Sequence, residues 1–345
     1  LVRLNLYGDN ATYKFEDNIK TMAKTNRYAN FYATDQTTAT LVQQTASSNA
    51  NSLSFITGSK NVSYEPNSGM TVDAEFFFPR HKLRHEDGYV EIDFATASLF
   101  GVHTVGEDPE DYTFLTADAA NFQVTAVRDK PTSRDAYFEL SCSAPFPLPT
   151  LTSSFYHDVY DDERWNFSVR LRPSKHPIAD FIHTGSVSDT YIVEFQGLNM
   201  VAGTVLNEFL VTGSVSTSSG SNFLKSSKRL YMGAHRTNFT GSVLTNSDME
   251  GTALRYWPIY YGGPDEFKNR VRDIDNFGTL YAHRNATFLQ DSLKDLEIPQ
   301  AETLALNWDL ATITTSDASG EFAIIDASSG SVDLADRYRW ISNIV

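Results

Sequence analysis

Trp165-Asn166-Phe167-Ser168-Val169-Arg170-Leu171 alternates apolar and polar side chains one for one. The same two-residue period recurs in Tyr191-Ile192-Val193-Glu194-Phe195-Gln196-Gly197 and in Arg229-Leu230-Tyr231-Met232-Gly233-Ala234-His235. It returns in Ala253-Leu254-Arg255-Tyr256-Trp257-Pro258-Ile259-Tyr260-Tyr261, after the spacer 236–239 and Thr240-Gly241-Ser242-Val243. Short β-branched and aromatic runs with this period, broken by Gly, Asn and Ser, predict antiparallel strands with one buried face. Several in succession, with no long helix between them, predict an all-β sandwich.

Upstream of this stretch the pattern continues. Leu53-Ser54-Phe55-Ile56 opens the sandwich, followed by a turn at 58–61, Val62 and Tyr64, and a turn at 66–69. Val72, Ala74, Phe76 and Phe78 alternate through Thr71–Pro79, a half-buried strand. Tyr89–Phe94, Phe122–Val127 and Ala136–Leu140 are further strands. Ser143–Pro149 holds three prolines, which cannot donate to a sheet ladder, so it reads as a loop crossing between the sheets. Ser214–Ser227 is dominated by Ser and reads as a polar connection.

The flanks have a different texture. Val2–Tyr7 reads as a strand and Asp17–Tyr32 as a helix with Asp17 at its N-cap. Residues 37–51 are rich in Thr, Ser, Gln and Asn, a linker or surface loop. Beyond Tyr261, Pro264 suits the first turn of a helix and Asp265 and Glu266 suit its positive end. Phe267, Val271 and Ile274 share one face of that helix, which is expected to lie against the sandwich. A second helix is expected over 286–299, on Phe288, Leu289, Leu293 and Leu296. Thr303–Asp309 and Glu321–Asp326 then look like the opening strands of a further β domain. The expected organisation is a connecting segment with a helix over 1–45, a sandwich over 46–285, and a linker helix with opening strands over 286–345. The chain opens on Leu in a strand-like stretch and is expected to begin within a longer polypeptide.

Bulk properties narrow the function. A length of 345 residues accommodates one large β domain with extra segments, or two ordinary domains. The net charge of −15 argues against nucleic acid, because binding a phosphate backbone needs clustered Lys and Arg that displace counterions. No apolar run reaches membrane-spanning length, and no basic-then-apolar leader opens the sequence, which predicts neither membrane insertion nor secretion. Cys142 is the sole cysteine, so no disulfide forms within the chain and assembly in a reducing cytosol is compatible. The five Asn-x-Ser/Thr sequons are about what chance supplies at this composition.

The order of features resembles the laminin-G-like, concanavalin A-like jelly roll. Leu53–Ser59 matches the opening "Leu-Ser-Phe-x-x-Gly-Ser" strand, Val72–Pro79 a "Val-x-Ala-x-Phe-x-x-Pro" strand, and Trp165–Leu171 the aromatic strand that begins with Trp. Leu230–Val243 matches the "Leu-Tyr-x-Gly-Ala…Phe-x-Gly-x-Val" hairpin, and Leu254–Ile274 the last aromatic strand leading into a short helix. The resemblance covers residues 50–285, about two-thirds of the chain. It implies a two-sheet antiparallel jelly-roll sandwich with short peripheral helices and extended flanking segments. With the flanks, the texture is similar to large structural proteins of tailed bacteriophages, where such domains are strung along a fibre, neck or baseplate component.

Each candidate for chemistry has a plainer competitor. Laminarinase-like glycosidases of this jelly roll carry Glu-x-Asp-x-(x)-Glu on one strand. Glu91 and Asp93 share a face here, but Ala95, Thr96 and Ala97 follow, so the second carboxyl that retaining hydrolysis needs is missing. His81 and His85, with Glu86 and Asp87, have metal-like spacing but sit among Lys82 and Arg84, as a solvated loop does. Asp158, Asp161, Asp162 and Glu163 offer calcium its oxygen ligands, or form a solvated acidic loop. Asp273, Asp275, Asn276 and Gly278 faintly follow a calcium loop, but Phe277 takes a ligand position and no glutamate closes it. Cys142 has no signalled His partner, so it is not read as a nucleophile. No nucleophile elbow, phosphate loop or dinucleotide fingerprint occurs. Trp257, Tyr260 and Tyr261 stack on sugars if a loop presents them, and are core or sheet-face residues at strand spacing.

The expectation is therefore a non-enzymatic virion structural protein, with no catalytic residues, no metal and no cofactor. It would be assembled in the host cytoplasm, with other virion proteins or copies of itself as partners. The alternatives are a lectin-like module for host-surface polysaccharide and a degraded polysaccharide hydrolase.

Overall fold

The structure, a computed structural model, describes residues 29–30, 40–42, 69–80, 92–104, 120–142, 148–174, 190–201, 204–225, 228–236, 243–257, 259–272, 306–316 and 322–326. In chain order the strands are β1 (Ala29–Asn30), β2 (Thr40–Val42), β3 (Met70–Phe78), β4 (Thr96–Thr104), β5 (Ala120–Val127), β6 (Tyr137–Ser141), β7 (Leu151–Thr152) and β8 (Glu163–Pro173). They continue with β9 (Thr190–Val201), β10 (Thr204–Ser216), β11 (Lys228–Gly233), β12 (His235–Arg236), β13 (Val243–Thr245), β14 (Glu250–Trp257), β15 (Leu306–Ser316) and β16 (Phe322–Asp326). The helices are α1 (Thr217–Lys225) and α2 (Pro264–Arg272).

Two antiparallel sheets face one another. The larger runs β10-β9-β8-β3-β14-β15-β16 with β1 beside β14, and the smaller runs β2-β11-β4-β5-β6-β7. Alternation in β3 sends Met70, Val72, Ala74, Phe76 and Phe78 inward, and β8 does the same with Trp165, Phe167, Val169 and Leu171. The small sheet answers with Leu99, Phe100 and Val102 of β4, Phe122 and Val124 of β5, and Phe138 and Leu140 of β6. Phe76 stacks on Phe100 at 5.9 Å between ring centres, and Phe138 meets Phe167 edge-on at 4.7 Å. Phe138 also touches Phe78, Tyr156, Trp165 and Phe209, so one side chain of the small sheet joins rings from β3, β8 and β10. The β9–β10 ladder depends on Gly197. A Cβ there would lie 2.1 Å from the Phe209 ring, so any side chain would push that ring out of the core.

One end of the sandwich is tied by a buried ion pair. Arg128 meets Asp248 at 2.6 Å with both side chains fully buried. The Tyr160 hydroxyl donates to Asp248, and the guanidinium lies 4.3 Å from the Tyr160 ring centre. Burial, then the Asp248 charge, holds the Tyr160 phenol well above its usual range. Arg128 also donates to Phe94 O, so the segments before β4, after β5, before β8 and before β14 converge on one charge pair.

The structure corrects several sequence expectations. Ile92, Asp93 and Phe94 lie outside any strand; the strand begins at Thr96, and register shifts in β4 break the clean alternation that would have marked it. The polar connection expected at 214–227 is instead, as far as Lys225, the end of β10 followed by α1. Ser216 caps that helix by accepting from Ser219 N, and Phe223 and Leu224 are buried from it. Ala29–Asn30, expected in a helix, pair with Glu250–Gly251, and Thr40–Val42, expected in a linker, pair with β11. β15 and β16, expected to open a further domain, extend the large sheet from β14, because Leu306 and Trp308 continue its inward face into the same core. The expected elements at 2–7, 17–28, 53–64 and 286–299 lie outside the described residues. No helix among the described residues is long and apolar enough to cross a membrane.

Candidate functional site

The outer face of the large sheet is polar and yet buried. Pairing sets Glu194 of β9, Arg170 of β8, Thr71 of β3 and Trp257 of β14 in one row across four strands. The next row holds Gln196, Ser168, Asp73 and Arg255. Asp73, Ser168 and Arg170 are completely buried, and Glu75, Glu194, Gln196 and Arg255 nearly so. Such a face normally meets water. Residues 259–272 cover much of it, and they are held by polar contacts.

Arg270 of α2 donates Nε and Nη2 to Asp73 Oδ2 at 2.9 and 2.8 Å, and Nη1 to Tyr261 O at 3.0 Å. Its guanidinium lies 4.4 Å from the centre of the Tyr261 ring, 5.7 Å from that of Trp257 and 5.6 Å from that of Phe267. Thr71 Oγ1 donates to Ile259 O and accepts from Tyr261 N, so one hydroxyl ties the strap at both ends of its turn. The helix starts where Gly263 N donates to Glu266 Oε2 at 2.8 Å, a capping contact on its first turn. Gly262 precedes it at φ +67°, the left-handed region that glycine enters without steric cost.

The second anchor is Glu194. Its Oε2 accepts from Arg170 Nε and from the Tyr260 hydroxyl, both at 3.0 Å, and its Oε1 accepts from Arg172 Nε at 2.8 Å. Arg170 also donates to Gln196 Oε1 at 2.7 Å, and Gln196 in turn donates to Pro264 O. Burial, and then the Glu194 charge, push the Tyr260 phenol up to about 12. Burial opposes the charge on Arg172, but its bonds to Glu194 outweigh that and raise its pKa. At the margin, Lys268 meets Glu208 of β10 at 2.6 Å. Glu75 accepts from the Thr252 hydroxyl at 2.7 Å.

In chemical terms this face holds a polypeptide segment: carboxylates and guanidiniums pair across strands, and aromatic rings seal them from water. Each of Asp73, Glu75 and Glu194 already accepts hydrogen bonds.

The residues singled out by sequence are distributed as follows. Trp257 of β14 forms a small apolar cluster with Ile259 and Tyr261 of the strap, so neither Trp257 nor Tyr261 offers a ring to a sugar, and Tyr260 is half-buried on Glu194. In the acidic loop, Asp158 and Asp162 adopt left-handed backbone at φ 55° and 63°, which Asp tolerates. Their carboxylates and their neighbours' do not converge. Asp161 faces Arg80 and Arg134, Asp162 accepts from Arg80 N, and Glu163 accepts from Asn199. No group of three candidate ligands able to hold a metal ion occurs among the described residues. Asp135 instead organises the loop, accepting Asp158 N at 2.9 Å and facing His157 Nδ1 at 2.9 Å; these bonds lower its pKa. Cys142 is half-buried against the core. Asp93 is exposed. Glu91, His81, His85, Glu86, Asp87, Asp273, Asp275, Asn276 and Gly278 lie outside the described residues.

Sequence reasoning missed the residues that build this face. Asp73, Glu75, Arg170, Arg172 and Glu194 all sit at the polar phase of alternating strands, and opposite charges at the same phase of neighbouring strands were the available signal.

No family model and no curated protein matches the chain. Among solved structures it is similar to the enzymatically active domain of tailspike protein 2 of bacteriophage CBA120, at 10% identity, 61% of this chain, 25% of that one and a TM-score of 0.33. It is also similar to full-length tailspike protein 2 of an Escherichia coli O157:H7 bacteriophage, at 10% identity, 72% of this chain, 28% of that one and a TM-score of 0.34. A third is a protein of unknown function from Shewanella oneidensis MR-1, at 9% identity, 66% of this chain, 79% of that one and a TM-score of 0.23. The chain thus spans about a quarter of the tailspike chains it resembles.

Proposed function

We propose that the chain is a non-enzymatic structural module of a tailed-bacteriophage virion, a concanavalin-type jelly roll in a fibre, neck or baseplate component. Its work is to join protein chains: other virion proteins or copies of itself. The observation that carries the non-enzymatic part is the strapped outer face. Retaining glycoside hydrolysis needs two carboxyl groups about 5 Å apart and open to a sugar. Asp73, Glu75 and Glu194 are instead buried and committed to guanidinium and hydroxyl donors. The jelly roll rests on the order of sequence motifs and the place in a virion on the overall texture of the chain with its flanks, and the net charge of −15 agrees with protein rather than nucleic-acid partners.

Mass spectrometry of purified particles from cultures that produce the chain tests the location. The chain is expected at a fixed ratio to the major tail proteins; its absence from particles overturns the reading. Release of oligosaccharide from host-surface polysaccharide by the purified chain would overturn the non-enzymatic part.

A lectin-like second reading has its own observation. On the loop before β8, Phe155 is 47% exposed and meets His157 edge-on, and His157 in turn faces the Asp135 carboxylate. An exposed ring next to a His–Asp pair suits a sugar face. A glycan array decides it: binding that Phe155→Ala abolishes supports this reading, and no binding to any surface polysaccharide removes it.

A further inference from the structure

Three of the five large apolar side chains exposed among the described residues lie on the β9–β10 hairpin: Val201 (46%), Leu206 (55%) and Leu210 (45%). β10 is the outermost strand of the large sheet, with β9 as its sheet partner among the described strands. From Asn207 to Ser216 its register against β9 runs without a bulge, and this stretch contains no proline and no lysine or arginine. Those are the devices by which sheets usually protect an open edge. Its one charge, Glu208, is paired to Lys268 of the same chain. The Tyr156 hydroxyl donates to Glu208 O at 3.0 Å, and a carbonyl retains a second lone pair.

We propose that this edge is where a second copy of the chain binds, β10 against β10 about a two-fold axis, joining the two large sheets edge to edge. A second copy is the occupant because the strand is self-compatible. Pairing about Leu210 sets Leu210 against its own copy, Leu206 opposite Ser214 and Glu208 opposite Thr212. The two Glu208 carboxylates then lie four residues apart, roughly 14 Å along the strand, beyond the screening length of about 8 Å at physiological salt. Two chains of net charge −15 repel across most surfaces, and along this strip, with its carboxylate paired internally, the local part of that cost is smallest. The pairing supplies the assembly role with a partner and rests on that role for its purpose.

Sedimentation velocity of the full chain, from low to high micromolar concentration, tests it. The expected result is a species of twice the chain mass, with Leu210→Lys weakening association at least about tenfold while the thermal midpoint, taken at a concentration where both proteins are monomeric, is unchanged. Leu206→Lys reads the same contact if the first variant fails to fold. Leu244→Lys, at an exposed site off the hairpin, is expected to leave the dimer intact. A monomer at every concentration overturns the proposal, even if the chain is found in particles. So does a dimer indifferent to both hairpin variants, or one that Leu244→Lys dissociates equally.

Discussion

Arg270 donates two of its guanidinium nitrogens to a single oxygen of Asp73, a residue 197 positions earlier, at the centre of a buried sheet face. The Asp73 side chain is fully buried and that of Arg270 is 7% exposed. The pair fixes where α2 sits.

Removing Arg270 therefore leaves a buried carboxylate without its counter-ion. Arg270→Ala is expected to cost about 3–5 kcal/mol, read as a lower urea midpoint, and to speed amide exchange across 264–272. Arg270→Ala combined with Asp73→Ala should cost less than the sum of the two single changes, because the stranded charge is gone. Additive costs would show that the pair does not couple.

Phe138 is the ring on which both sheets converge. Phe138→Ala is expected to cost about 3–5 kcal/mol through lost burial and a remaining cavity. Phe155→Ala, at an exposed site, should stay within about 0.5 kcal/mol. Equilibrium urea unfolding of the two variants provides the comparison.

Tyr260 gives the strap an alkaline limit. Its phenol is raised to about 12, from an ordinary value of about 10. The native state thus keeps a proton that the unfolded chain gives up, so the Tyr260 contribution is whole below pH ~10 and is lost as pH rises toward ~12. Tyr260→Phe should flatten the fall in urea midpoint over that interval, and an unchanged slope would place the effect in other buried tyrosines.

Asp135 behaves in the opposite sense. The bonds from Asp158 N and His157 lower its pKa. Its contribution is present above the ordinary carboxylate value and is lost as pH falls through the lowered one. In a carboxyl NMR titration, His157→Ala should move Asp135 part of the way back, because the Asp158 amide bond remains.

The inward half of the fold was legible because it is periodic. β3, β5, β8 and β9 each show their core phase in sequence, and those phases meet in the structure. β4 went unread, and a strand was expected at Tyr89–Phe94 instead, because its bulges place Leu99 and Phe100 both in the core, which breaks the two-residue pattern. β10 escaped notice because Leu206 and Leu210 lie on its exposed phase while Asn207 and Gly213 occupy the inner one. The site was less legible still. Asp73 and Glu194 were visible as a polar phase, and a polar phase ordinarily means solvent. Their partners Arg270 and Tyr260 come from a segment whose docking position no local pattern encodes.

The placement of β3 has a consequence during synthesis. Its partner β8 follows roughly 85 residues later, and β14 later still. At ~5–20 residues per second, Met70–Phe78 leaves the ribosome roughly 4–17 s before its first neighbour in the sheet. During that interval the strand has no sheet neighbour, and the rings that can cover it are those of the other sheet, Phe100 for Phe76 and Phe138 for Phe78, so contacts between the two layers become available before the large sheet itself can pair.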